Sequence, residues 1–247
     1  MIATQKINWP RTLTEGVAIL ASILLAFWID AWWDGREEDE LSQSYLLGLR
    51  EDFTQVESEL SKHLNFIAGV MGNARKVLTI ASGPDSEPFS DSFSEVMGST
   101  YLISWPNTAT PTYQDMINSG NLRLVRNPTL RMKMAELTSL LREIDKQKDV
   151  INETYWLHHA PFIDKHFVVS EFGWWYSQKS EVSNERFQIM GEPPKAPFET
   201  DFTAVRTRQF WNLISDWATV YGDQLGPSIQ AKSLCRELLV ILDEEIG

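Results

Sequence analysis

The chain has 247 residues, 43% of them hydrophobic and 23% charged, a balance that suits a folded core and excludes wholesale disorder. A formal charge of -12, from 34 acidic and 22 basic side chains, gives a surface that repels nucleic acid, so no nucleic-acid partner is expected. Cys235 is the only cysteine, which excludes an internal disulfide and multi-cysteine metal sites; in its amphipathic run it reads as a small buried apolar residue.

The first element is a membrane anchor. Gly16 to Ile29 is an unbroken uncharged run with eight Leu, Ile, Val and Phe side chains. Extended over residues 12–33 it reaches about 33 Å at about 1.5 Å per residue, enough for a hydrocarbon core of about 30 Å. Trp9, Trp28, Trp32 and Trp33 flank the span as interfacial anchors. Lys6 and Arg11 precede it, while five acids and one arginine follow between Asp34 and Glu40. The positive-inside rule then puts residues 1–11 in the cytoplasm and residues 34–247 in the periplasm of a bacterial inner membrane. Bulky Phe27, Trp28, Trp32 and Trp33 around Ala26 and Ala31 speak against a cleavage site, so the span reads as an uncleaved signal anchor. Glu15 is a candidate partner contact, with a pairing to Arg11 one turn earlier as the simpler role. Asp30 is expected to snorkel outward.

Beyond the anchor the pattern is helical. Leu46, Leu49, Phe53, Val56, Leu60, His63, Ile67, Val70, Ala74 and Val77 alternate steps of three and four, a coiled-coil-like seam. No proline separates it from the anchor, so one rod is expected, with Gly35 as its soft point. A second seam runs through Leu130, Met134, Leu137, Leu141, Ile144, Lys148, Ile151, Tyr155 and His158, opened by Asn127 as N-cap and Pro128 in the first turn. Lys148 is expected to pair with a Glu across an interface. Shorter amphipathic segments span 202–221 and 228–246, separated by Gly226 and Pro227. The expectation is an all-α fold, an antiparallel helical bundle in which the two long seams pack on each other. Two long loops interrupt it, 81–111 (with a short helix near 91–97) and 160–200. The second carries Phe172, Trp174, Trp175 and Tyr176, candidate partner contacts or a cover for the core.

Two stretches carry a resemblance. One is Thr14-Glu15-Gly16 through Ile29-Asp30-Ala31-Trp32 and on to Leu49-Arg50-Glu51-Asp52-Phe53. The other is Thr112-Tyr113-Gln114-Asp115-Met116-Ile117-Asn118-Ser119-Gly120-Asn121-Leu122, followed by Asn127 and Leu130-Arg131. Together they resemble an uncharacterised family of bacterial single-pass, membrane-anchored helical proteins common in Bacteroidetes-like genomes. The resemblance covers about residues 12–53 and 112–144 and implies topology and fold, with no activity attached. The chain departs from the family at Asp30, where an uncharged amide is expected. Independently of the family, Tyr113, Met116 and Ile117 should face the bundle from a short helix that Gly120 ends in the left-handed conformation.

No Gly-x-Ser-x-Gly elbow, phosphate-binding glycine loop or dinucleotide fingerprint is present. His158, His159, Asp164 and His166 match no standard metal spacing, and adjacent helical residues point about 100° apart. No catalytic residue, metal or cofactor is therefore expected. The leading expectation is a non-enzymatic accessory or scaffold subunit. It would be held in the lipid bilayer among other integral-membrane subunits and would clasp a larger assembly of respiratory or photosynthetic type. The alternative is a periplasmic sensor or small-molecule-binding module acting through a membrane partner.

Overall fold

A computed structural model describes residues 9–84, 91–170 and 195–247, without the side chains of residues 9–16, 18, 91 and 92. Among them the fold is all-α and contains no strand. The elements are α1 (Trp9–Ala81), α2 (Asp91–Thr100), α3 (Pro111–Asn118), a 3-10 turn (Asn121–Leu124), α4 (Pro128–Thr154), a π-turn (Tyr155–His159), α5 (Ala160–His166), a second 3-10 turn (Phe202–Arg206), α6 (Arg208–Gly222) and α7 (Leu225–Ile246).

The apolar run and the first seam lie on one helix. At about 1.5 Å per residue the 73 residues of α1 form a rod about 110 Å long, and Gly35 does not interrupt it. Every member of the first seam is buried, from Leu46 to Val77. α7 runs back along this seam. Arg50 Nε meets Asp243 Oδ1 at 2.7 Å, Arg236 Nη2 meets Glu57 Oε1 at 2.9 Å, and His63 Nε2 meets Gln224 Oε1 at 2.8 Å. α6 continues the return beyond that point, with Trp217 and Tyr221 packed beside Ile67 and Val70.

α4 rises parallel to α1, because Arg126 and Asn127 sit at the base beside Asp39 and Glu245 while Ile151 reaches the Trp217 layer. The expected direct packing of the two long seams is corrected here. α7 lies along both, and its Ala231, Leu234, Cys235, Leu238 and Leu242 fill the cleft that two parallel helices leave. The distal end is a second core, where Ala74 and Val77 of α1 meet Phe93 and Met97 of α2, Phe162 and Ile163 of α5, and Phe210 and Ile214 of α6.

Several local expectations hold. Asn127 caps α4 by accepting from the backbone N–H groups of Thr129 and Leu130. Gly120 has φ 75°, the left-handed conformation that ends α3. Others shift. Ile117 is exposed, so only Tyr113 and Met116 face the core from α3. The break near the C-terminal pair of helices falls at Asp223–Gln224, and Pro227 stands in the first turn of α7, where its missing N–H leaves no bond unmade. The short helix expected near 91–97 is α2, while the second expected loop is partly helical, with α5 at its start.

The second seam changes register at its end. Pro161 has no N–H for the carbonyl of Leu157, and its ring crowds that carbonyl, so the preceding turn widens into the π form. The extra residue turns His159 inward, fully buried, and leaves His158 exposed, the reverse of the expected seam.

Candidate functional site

Two regions stand out: the apolar stalk of α1 and the histidine-bearing helix junction at the distal end. On the stalk, Val17, Ile19, Leu20, Ile23, Leu24, Leu25, Phe27, Trp28, Ile29, Trp32 and Trp33 all expose between 47% and 67% of their surface. Successive residues on a helix point about 100° apart, so this run is apolar around the whole circumference, and among the described residues no other element covers it. Trp32 and Trp33 lie with ring centroids 5.9 Å apart. Asp30 is exposed on the same segment. The side chains of Trp9 and Glu15, and the residues Phe172, Trp174, Trp175 and Tyr176, lie outside the described residues. Among the described residues no helix is long and apolar enough to cross a membrane.

The bundle is fixed to the rod just above the stalk. Arg123 Nη1 meets Glu38 Oε1 at 2.7 Å, and Arg126 Nη2 meets Asp39 Oδ1 at 2.6 Å. Both arginines come from the short segment between α3 and α4, so the base of the bundle stands within two turns of Trp33. Neighbouring contacts tie the start of α3 to α1. Asp52 of α1 accepts the backbone N–H of Thr112 at 2.8 Å, supplying the start of α3 with a cap that Thr110 does not provide. The Tyr45 hydroxyl donates to Asp115 and accepts from Asn121.

At the distal junction the structure separates His158, His159 and His166. His159 is enclosed by Tyr101, Tyr155 and Trp217, and its Nδ1 lies 2.9 Å from the Tyr101 hydroxyl. Burial pushes its pKa down to about 4, with a smaller contribution from His158. His159 Nε2 has no hydrogen-bond partner and stands 3.9 Å from Asp216 Oδ2. His166 Nδ1 pairs with Asp201 Oδ2 at 3.0 Å. Among the described residues no three His, Cys, Asp or Glu side chains converge as metal ligands.

Tyr101, His159 and Asp216 follow one another in space: His159 is fully buried, Asp216 is exposed and lines a groove with His158, and burial raises the Tyr101 hydroxyl above the ordinary tyrosine range. Cys235 is buried among apolar side chains, its thiol pushed up to about 12 by burial and then by Glu57, so it is no nucleophile. Lys148 is half-exposed and pairs with Asp145 one turn earlier on α4, correcting the expected pairing with a glutamate across an interface.

The sequence reading missed Tyr101, Asp216, Gln224 and Ser228. Gln224 and Ser228 are fully buried beside His63, and Gln224 Nε2, Ser228 Oγ and His63 Nδ1 have no partner. Contacts between residues far apart in the chain, 58 positions for Tyr101 and His159 and 161 for His63 and Gln224, leave no local periodicity to read. Comparison with protein-family models, with curated proteins and with solved structures gives no match for this chain.

Proposed function

We propose that the protein is a non-enzymatic, membrane-anchored accessory subunit. In this reading α1 crosses a bacterial inner membrane over residues 12–33 as a signal anchor, with residues 1–11 cytoplasmic. The bundle then stands in the periplasm and clasps a larger integral-membrane partner. The observation that carries the reading is the stalk, apolar on every side and uncovered by the rest of the described residues. Apolar side chains around a full helical circumference have no stable place in water, and lipid or a partner's membrane helices would satisfy them. The indoles at 28, 32 and 33 suit the headgroup layer, and the arginine pairs to Glu38 and Asp39 keep the bundle close above it. The resemblance of the stalk and the Tyr113–Leu122 stretch to membrane-anchored proteins agrees with this placement.

The test is to wash native membranes with alkaline carbonate, then solubilise them in mild detergent and size the protein on a native gel with mass spectrometry. Retention in the pellet and migration with a large complex support the proposal, and the co-migrating subunits name the host. Release by carbonate removes the anchor from the reading. Retention with migration as a lone monomer removes the host complex.

A further inference from the structure

Where α5 packs on α6, a groove of about 410 Å³ opens beside the π-turn. Leu157, Phe162 and Leu213 give it an apolar lining, and His158, Lys165 and His166 stand around it, with the Gln209 amide as a further polar group. Among the described residues no acidic side chain lines it, and Asp216 lines the adjoining groove that shares His158, Gln209 and Leu213, in a protein whose formal charge is -12. Asp201 pairs with His166, so the surplus donors are Lys165 and His158, neither of which has an ion-pair or hydrogen-bond partner among the described residues. The π-turn creates this arrangement. By rotating His159 inward it leaves Leu157 and His158 at the groove instead of in the core.

We infer that this groove binds a small organic carboxylate with an apolar body, its anionic group held by Lys165 and His158 and its body lying on Leu157, Phe162 and Leu213. Charge complementarity selects the anion. Lysine and imidazole N–H groups make their stronger hydrogen bonds to an ionised oxygen, and the carboxylate that touches the lining, Asp201, is already engaged by His166 and Thr203. The volume lies in the range of small-molecule sites and is too small for a long acyl chain. The inference does not depend on how the stalk is housed, since the groove lies at the other end of the rod.

Four histidines make a direct readout available. The full chain, in lipid nanodiscs, is titrated with 3-phenylpropionate while the ring Cε1–H signals are followed by NMR, each assigned by substitution. The expected result is saturable movement of His158 and His166 while buried His63 and His159 stay still. The uncharged analogue 3-phenylpropanol should fail to produce it. Lys165→Gln, at an exposed position that does not threaten folding, should weaken binding about fivefold or more, and Lys146→Gln on α4 should not. Equal response to the alcohol, no effect of Lys165→Gln, or movement of all four signals together would overturn the inference. So would a site that ignores the small carboxylate and responds only to an acidic peptide, which would mark a protein-docking surface.

Discussion

The hydroxyl of Tyr101 and Nδ1 of His159 share a hydrogen bond across 2.9 Å of closed core. The other ring nitrogen, Nε2, has no hydrogen-bond partner among the described residues and stands 3.9 Å from Asp216 Oδ2. A neutral, half-satisfied histidine at the centre of an aromatic cluster makes the distal core sensitive to acid.

The sign follows from linkage. His159 titrates near 6.5 when unfolded and near 4 when folded, so between those values the unfolded chain binds more protons and stability falls as the pH falls. The contribution is fully present above about pH 6.5 and is lost on the way to pH 4, amounting to at most about 3 kcal/mol at about 1.4 kcal/mol per pH unit. His63, buried and likewise pushed down, adds in the same direction. Melting temperatures between pH 7 and pH 4.5 should therefore drop, and His159→Gln should drop less steeply than the parent. Parallel slopes for the two proteins would show that His159 is not the sensor.

How far this core was legible beforehand depended on the kind of signal. The seam from Leu46 to Val77 was readable because a three-four alternation on one continuous helix survives folding unchanged. Asn127 and Gly120 were readable because capping chemistry is local. His159 was not, because the same alternation points to His158, and only the widened turn before Pro161 moves the register by one. The proline was visible, but whether it ends a helix, kinks it or opens a π-turn is decided by packing on both sides. The insertion of α7 between α1 and α4 was hidden for a related reason, since apolar stripes say what is buried and not against which partner.

Trp217 is the hub of the middle layer. It is fully buried, its ring meets Tyr101, Tyr155, His159 and Tyr221, and its Nε1–H donates to the Thr100 carbonyl at 2.7 Å. Trp217→Ala should destabilise by about 3–5 kcal/mol through the cavity alone. Trp217→Phe keeps much of the packing but strands the buried Thr100 carbonyl, at about 1–3 kcal/mol. Chemical denaturation of both variants, each carrying its own loss, is the check; a Phe variant as stable as the parent would mean that the hydrogen bond contributes little.

Three glycines on α1 make an internal comparison. A Cβ at Gly48 would meet Thr112 Oγ1 at 2.8 Å and Cγ2 at 2.9 Å, while one at Gly69 or Gly72 would meet nothing within 4 Å. Alanine is favoured over glycine in a helix interior by about 1 kcal/mol, so Gly69→Ala and Gly72→Ala should stabilise by up to that amount. At Gly48 the same gain is opposed by overpacking of about 1–3 kcal/mol, because Thr112 is held by its N–H bond to Asp52 and cannot easily retreat. Gly48→Ala should therefore be neutral to destabilising, and adding Thr112→Ala should recover stability. Thermal melts of the four variants decide it, and a stabilising Gly48→Ala would show that α3 moves away freely.

The stalk supplies the sharpest contrast between a surface residue and a membrane residue. Leu24 exposes 67% of its surface, and if it were simply a solvated position, Leu24→Arg would be harmless or even improve solubility. If residues 12–33 lie in lipid, Leu24 falls near the midplane, where an arginine costs about 3 kcal/mol against the seven remaining apolar side chains, worth about 0.3–0.6 kcal/mol each. Insertion would then become marginal, and a large fraction of the variant should appear in the carbonate-soluble pool or be degraded. Arg at Leu47, also exposed but 14 residues beyond Trp33 on the same helix, should leave fractionation unchanged. Quantitative immunoblotting of pellet and supernatant for the two variants separates the cases: loss confined to Leu24→Arg supports the anchor, and equal behaviour of the two would place the stalk outside the bilayer.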